Sequence, residues 1–177
     1  MEVVLINDDL FKENSPIKDD TIITKFVPYI SIAQKMYIER ILGKPLTDVL
    51  KGQIKAGSLT PANQALILML APALSFYAVY QGIPFHWAAI VNKGITIRES
   101  ENSKAVDIND VAQLRRWLKD DAEMLSRDLV AYLCRCRDKY PLWQPDKGCG
   151  CGCPGEDNDG STQTQFDTGI FIPKRYR

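Results

Sequence analysis

The sequence predicts a mainly α protein: a small helical bundle with one long C-terminal helix, a short extended excursion at about residues 91–106 and an extended C-terminal tail. Three observations carry this reading. Apolar residues recur at spacings of three and four through most of the chain up to Tyr140. Strand-like alternation is confined to Ile95-Thr96-Ile97, after an Asn92-Lys93-Gly94 turn. Beyond Pro141 the composition turns to Gly, Asp, Ser, Thr, Gln and Pro, which cannot build a core. The expected organisation is an N-terminal arm (1–20), a helical domain (21–140), a flexible Cys/Gly-rich linker (141–165) and a C-terminal docking segment (166–177).

The arm is acidic and irregular, with Leu10, Phe11 and Ile17 available to pin it to an apolar surface. A helical pattern starts at Thr21. Ile30, Ala33, Tyr37, Ile41 and Leu42 share one face, and Gly43 is the expected stop. In the next helix Leu46, Val49, Leu50 and Ile54 form the apolar stripe, Lys51 and Lys55 face water, and Gly57 ends it. Thr60-Pro61 is a start signal: a capping hydroxyl followed by proline at the first helical position. The helix it opens runs to about Tyr80, where Gly82-Ile83-Pro84 breaks it. Asp107 caps the longest helix, with Asp110 near its positive end. Val111, Leu114, Leu118, Leu125, Leu129, Leu133 and Cys136 form its apolar stripe. Arg115, Arg116, Lys119, Asp120, Glu123, Arg127 and Asp128 mostly face water. The pattern extends to about Tyr140, which at 1.5 Å per residue makes a rod of about 50 Å.

The 177 residues, 45% apolar and 25% charged, suit one soluble core of ordinary size. Lys plus Arg and Asp plus Glu both total 22, so the chain lacks the basic excess of a protein that grips phosphates. Val3 to Ile6 is too short for a signal-peptide core and has no basic region before it, so a cytosolic site of synthesis is expected. No charged residue occurs between Lys55 and Lys93. The apolar run Ala65 to Tyr80 is nonetheless shorter than the roughly 20 residues a membrane span needs. It contains Ser75 and Pro72, and reads as a core helix with a kink at Pro72.

Catalytic chemistry has little to stand on. His86, the one histidine, lies among aromatics in Pro84-Phe85-His86-Trp87 and reads as a packed residue rather than a base. No phosphate-binding glycine loop, nucleophile elbow or His-Glu-x-x-His pattern occurs. The candidate metal ligands are Cys149, Cys151 and Cys153, with Cys134 and Cys136 upstream. Their spacing of one residue is poor for zinc, whose paired ligands usually stand two to four apart. In a helix Cys134 and Cys136 would lie about 200° apart, so one ion could not take both. Cys136 is then core, Cys134 incidental and the tract a linker, with no cofactor expected. Arg115-Arg116 and Arg135/Arg137 lie among acids and read as solvated surface rather than a DNA contact.

Several stretches carry a family likeness: Phe26-Val27-Pro28-Tyr29-Ile30 through Ile41-Leu42-Gly43, Met69 to Pro84 with Ala71-Pro72-Ala73-Leu74, Asn92-Lys93-Gly94-Ile95, and Ser100-Glu101-Asn102-Ser103. They resemble the head–tail connector (adaptor) proteins of tailed phages of Bacteroidetes, in particular the neck ring proteins of crAss-like phages. The resemblance covers about residues 5–140 and leaves the cysteine tract unplaced. It implies a virion protein without enzyme activity, made in the host cytoplasm and located in the neck. Copies would form a homo-oligomeric ring, usually twelve-fold, beneath the portal protein. Further neck or tail ring proteins would bind below, and DNA would pass through without sequence-specific contact. No membrane partner is implied.

The chain's end supplies the candidate interface. Phe166, Ile170 and Ile172 share one parity and so point to one side of an extended segment, with Phe171 opposite and Lys174, Arg175, Tyr176 and Arg177 following. Such a segment can add a strand to a neighbour's sheet edge. The alternative function is a small metal-binding regulatory or interaction module that uses the cysteine tract.

Overall fold

The computed structural model describes residues 3–17, 25–91, 94–97 and 107–145. The expected helical bundle is present, and its centre is one apolar helix with others laid along it. The C-terminal segment 166–177 and Cys149, Cys151 and Cys153 lie outside the described residues.

The arm is more ordered than its acidity suggests. Asn7 accepts a hydrogen bond from the Leu10 amide and caps a short helix, α1 (Asp8–Glu13), whose first turn carries Asp8 and Asp9. Leu5, Ile6 and Phe11 are buried, so the arm belongs to the core. The Phe11 ring lies 5.7 Å from that of Phe26.

The next helical stretch is composite. Helix α2 (Val27–Ala33), with Pro28 in its first turn, runs into a widened π turn (Gln34–Ile38) and then α3 (Glu39–Leu42). The widened turn holds a buried glutamine. Gln34 Oε1 accepts from the Leu5 amide at 2.8 Å, while Nε2 donates to the Val3 carbonyl and to Glu39 Oε1. Gly43 ends α3 at φ 75°, as expected. A second demand acts on it: a side chain there would run into the Gln144 carbonyl.

Helix α4 (Lys44–Ala56) buries Leu46 and Leu50 and ends at Gly57 in the left-handed region, φ 63°. Lys51, expected to face water, instead reaches back to Glu39 and is half-buried.

Helix α5 (Pro61–Trp87) begins as predicted, with Thr60 Oγ1 accepting from the Asn63 amide. It does not break at Gly82-Ile83-Pro84. Gly82 is a contact glycine, since a Cβ there would lie 2.9 Å from the Phe26 ring. Pro72 and Pro84 each forfeit one main-chain bond, normally a cost of about 3 kcal/mol, yet α5 continues because α2 and α6 pack along it. Pro61–His86 is long and apolar enough to cross a membrane by length and composition; most of its apolar window is buried within the bundle.

The excursion starts earlier than predicted. Strands β1 (Ala88–Val91) and β2 (Gly94–Ile97) pair antiparallel, with Ile90 opposite Ile95 and Val91 opposite Gly94. The long helix, α6 (Ile108–Arg135), is capped by Asp107, which accepts from the Asn109 amide at 2.7 Å. It stops at Arg135 rather than Tyr140, so its 28 residues make about 42 Å.

Its buried line is Leu118, Ala122, Ser126, Leu129 and Leu133. Leu114, expected in that line, is 44% exposed. After a 3-10 turn (Arg137–Lys139), Tyr140 and Trp143 fold back into the core, so the fold ends later than the composition break at Pro141 suggests.

Candidate functional site

The predicted polar candidates resolve into packing. The His86 ring stacks on Phe26, 4.2 Å between centroids at 7°, within a cluster that includes Tyr29 and Phe85. The Arg115 guanidinium lies over the Tyr80 ring, 4.4 Å from its centroid, and so joins α6 to α5.

Two tyrosine sites hold the bundle's inner polar contacts. Tyr37 and Tyr77 stack at 3.8 Å, and Gln81 donates to the Tyr37 hydroxyl at 2.8 Å. Ser126 Oγ donates towards the Tyr77 hydroxyl at 3.5 Å. At the other end of α5, the Tyr140 hydroxyl donates to the Ala62 carbonyl at 2.7 Å and lies 3.0 Å from that of Tyr132. Burial pushes the hydroxyls of both Tyr77 and Tyr140 above the ordinary tyrosine range.

The cysteines depart from their expected roles. Cys134 is not incidental: it is disulfide-bonded. Cys136 is a free thiol at the C-cap of α6, outside the helix, so the angular argument against a shared ligand pair loses its premise. Among the described residues no cluster of three or more His, Cys, Asp or Glu is placed to hold a metal.

The outer surface carries the more distinctive feature. Asp110, Leu114, Trp117, Asp121, Met124 and Asp128 follow one another along α6 at alternating steps of four and three, the seam spacing of a helix that meets another helix. All six are exposed; Trp117 is 60%, Met124 55% and Leu114 44% accessible. A second stripe runs along α2, the π turn and α3: Pro28, Ile32, Met36 and Arg40, four residues apart and all exposed, with Lys25 just before them. Sequence periodicity located the buried line of α6 and missed this second, parallel one, because three aspartates interrupt its apolar members. The four-three alternation was the available signal.

Residues 38–153 of the 177 match DUF6712, a family of unknown function. The match runs from the end of the π turn through α6 and on to Cys153, so it takes in the cysteine tract. No curated protein and no solved structure matches the chain.

Proposed function

Given that the chain belongs to the DUF6712 family of unknown function, we propose that it is a structural assembly subunit without catalytic activity, a head–tail connector of a tailed phage. Copies form an oligomeric ring between portal and neck, and DNA passes through it without sequence-specific contact. The observation that carries the assembly part is the exposed Leu114–Trp117–Met124 stripe on the outside of a helix whose opposite side already fills the core. Isolated apolar residues on a surface are ordinary; aligned ones, including a tryptophan, mark contact sites. The sequence resemblance to connector proteins supports the neck location. The net charge of zero suits a subunit that surrounds DNA without gripping it.

The test is composition and cross-linking of purified particles of the encoding phage. The expected result is the chain present in stoichiometric amount and cross-linked to the portal protein. Its absence from particles rejects the reading.

A second reading, a small metal-binding module, is favoured by one observation: the family match extends through Cys149, Cys151 and Cys153. One zinc per chain in freshly purified protein, with loss of helix on chelation, would select it.

A further inference from the structure

We infer that the acidic–apolar stripe of α6 and the basic–apolar stripe of α2–α3 are the two halves of one head-to-tail interface, each receiving the other from a second copy of this chain. The inference rests on the assembly reading and names the faces through which the copies meet.

The stripes match in length and oppose in charge. On α6 the apolar centre from Leu114 to Met124 covers about 15 Å, at 1.5 Å per residue. Asp110 lies one turn before it, Asp128 one turn after it and Asp121 within it. On the other face, Pro28 to Met36 covers about 12 Å on the same rise, with Lys25 before it and Arg40 one turn beyond. The acidic residue of that segment, Glu39, does not offset these bases, because Lys51 and Gln34 engage it on the inner side. Exposed Arg116 and Arg127 flank this face, and the same spacing carried beyond Asp128 reaches exposed Arg135 at the end of α6. An apolar strip bordered by acids at both ends therefore faces, on another copy, an apolar strip bordered by bases at both ends. Opposed charge at the rim fixes register and orientation, while the apolar centre supplies affinity.

The two stripes cannot meet within one chain. Helices α2 and α6 each pack along α5, and each leaves its stripe exposed, although Gln81 of α5 reaches the Met36 sulfur at 3.9 Å. Two different complementary faces on one subunit make a heterologous contact, which closes into a ring when the rotation permits. Three apolar side chains on each side form a small patch, so a single contact is weak and ring closure supplies the remaining stability.

Sedimentation of the full chain, at concentrations up to about 1 mM to reach weak association, provides the test. The wild-type mass is expected to rise with concentration. Trp117→Glu disables one face and Met36→Glu the other; both positions are exposed, and circular dichroism checks that each variant is folded. Each variant alone is expected to stay monomeric. Mixed in equal amounts they form a dimer and nothing larger, because each retains one good face.

A charge-reversal set repeats the question without touching an apolar residue. Asp110→Lys with Asp128→Lys, and Lys25→Glu with Arg40→Glu, each abolish association. The chain carrying all four regains it. Association of either disabled variant alone, a monomeric mixture, no recovery in the fourfold chain, or a monomeric wild type would each overturn the interface. So would loss of the mixed dimer on deleting residues 166–177, which would make the C-terminal segment the occupant of the α6 face. Particle composition tests the assembly reading separately. A chain found in particles whose variants associate like wild type keeps the connector function and loses these faces. A chain absent from particles that behaves as expected on mixing keeps the faces and loses the neck.

Discussion

The Trp143 indole Nε1 donates to the Ile41 carbonyl at 2.8 Å, tying the end of the described chain to α3 across 102 residues. The neighbouring Gln144 carbonyl fills the space where a Gly43 side chain would be. Tyr140, three residues earlier, reaches the Ala62 carbonyl at the start of α5. The segment after α6 therefore ties the end of α3 and the start of α5 into one bundle.

Breaking this closure is expected to be expensive. Trp143→Ala removes a buried indole and leaves the Ile41 carbonyl without its donor, a change of about 3–5 kcal/mol. Gly43→Ala forces a β-carbon into the Gln144 backbone at positive φ, and is expected to destabilise the same region. Urea denaturation measures both. Near-wild-type midpoints would show that the hook is peripheral.

A buried hydroxyl offers the opposite change. Ser75 lies on α5 with no exposure, and its Oγ has no hydrogen-bond partner among the described residues. Replacing it with alanine removes that unmet polar group and favours the helix. Ser75→Ala is expected to stabilise the protein by about 1 kcal/mol, visible as a higher thermal midpoint. A lower midpoint would mean that the hydroxyl is engaged in solution.

The alkaline limb of stability should depend on two tyrosines. Burial raises the Tyr77 and Tyr140 hydroxyls above their unfolded value of about 10. The folded state thus keeps protons that the unfolded state releases. Their contribution is complete below pH of about 10 and is lost as pH rises towards the folded values. Urea midpoints are expected to be level from pH 8 to about 9.5 and to fall above about 10. Tyr77→Phe and Tyr140→Phe should each flatten that fall, whatever they do to stability at neutral pH. An unchanged slope in both would assign the alkaline loss to other groups.

How much of this fold the sequence revealed depends on the range of the interaction that set each feature. Gly43, Gly57, Thr60-Pro61 and Asp107 were legible because caps and turns are decided by neighbouring residues. Gly82 and Pro84 were misread as a break because local propensity opposes what packing against Phe26 imposes. The π turn was hidden for the same reason: Gln34 is held by the distant residues Val3 and Leu5. Trp143 was assigned to a tail because its partner lies at Ile41. The α6 surface stripe was written in the sequence but overlaid by the stronger buried periodicity of the same helix.

The cysteines yield a countable outcome. The chain has five, and the structure pairs Cys134 while leaving Cys136 free. Denatured, unreduced protein is expected to show no more than three reactive thiols, and Cys136 to be among those labelled. Folding should not require metal, because the described residues from Leu5 to Trp143 build an apolar core among themselves. Elemental analysis showing one zinc per chain, with helix lost on chelation, would overturn this.

Deletion of residues 166–177 asks whether the chain's end serves the fold or the assembly. The core is closed by Tyr140 and Trp143. Helix content and thermal midpoint should therefore be retained when the last twelve residues are removed. Those residues nonetheless include Phe166, Ile170, Phe171 and Ile172, followed by Lys174, Arg175, Tyr176 and Arg177. An apolar segment with a basic end suits insertion beside a neighbour, where main-chain pairing to a sheet edge gives affinity and side-chain pockets give specificity. The β1–β2 hairpin of an adjacent copy offers such an edge, with strand Gly94–Ile97 on one side and Ala88–Val91 on the other. The truncated chain is expected to fold normally and to fail to enter assembled necks, while the mixing behaviour of the α2 and α6 faces persists. Normal assembly without the segment, or a truncated chain that is itself destabilised, would show that the segment is no intersubunit anchor.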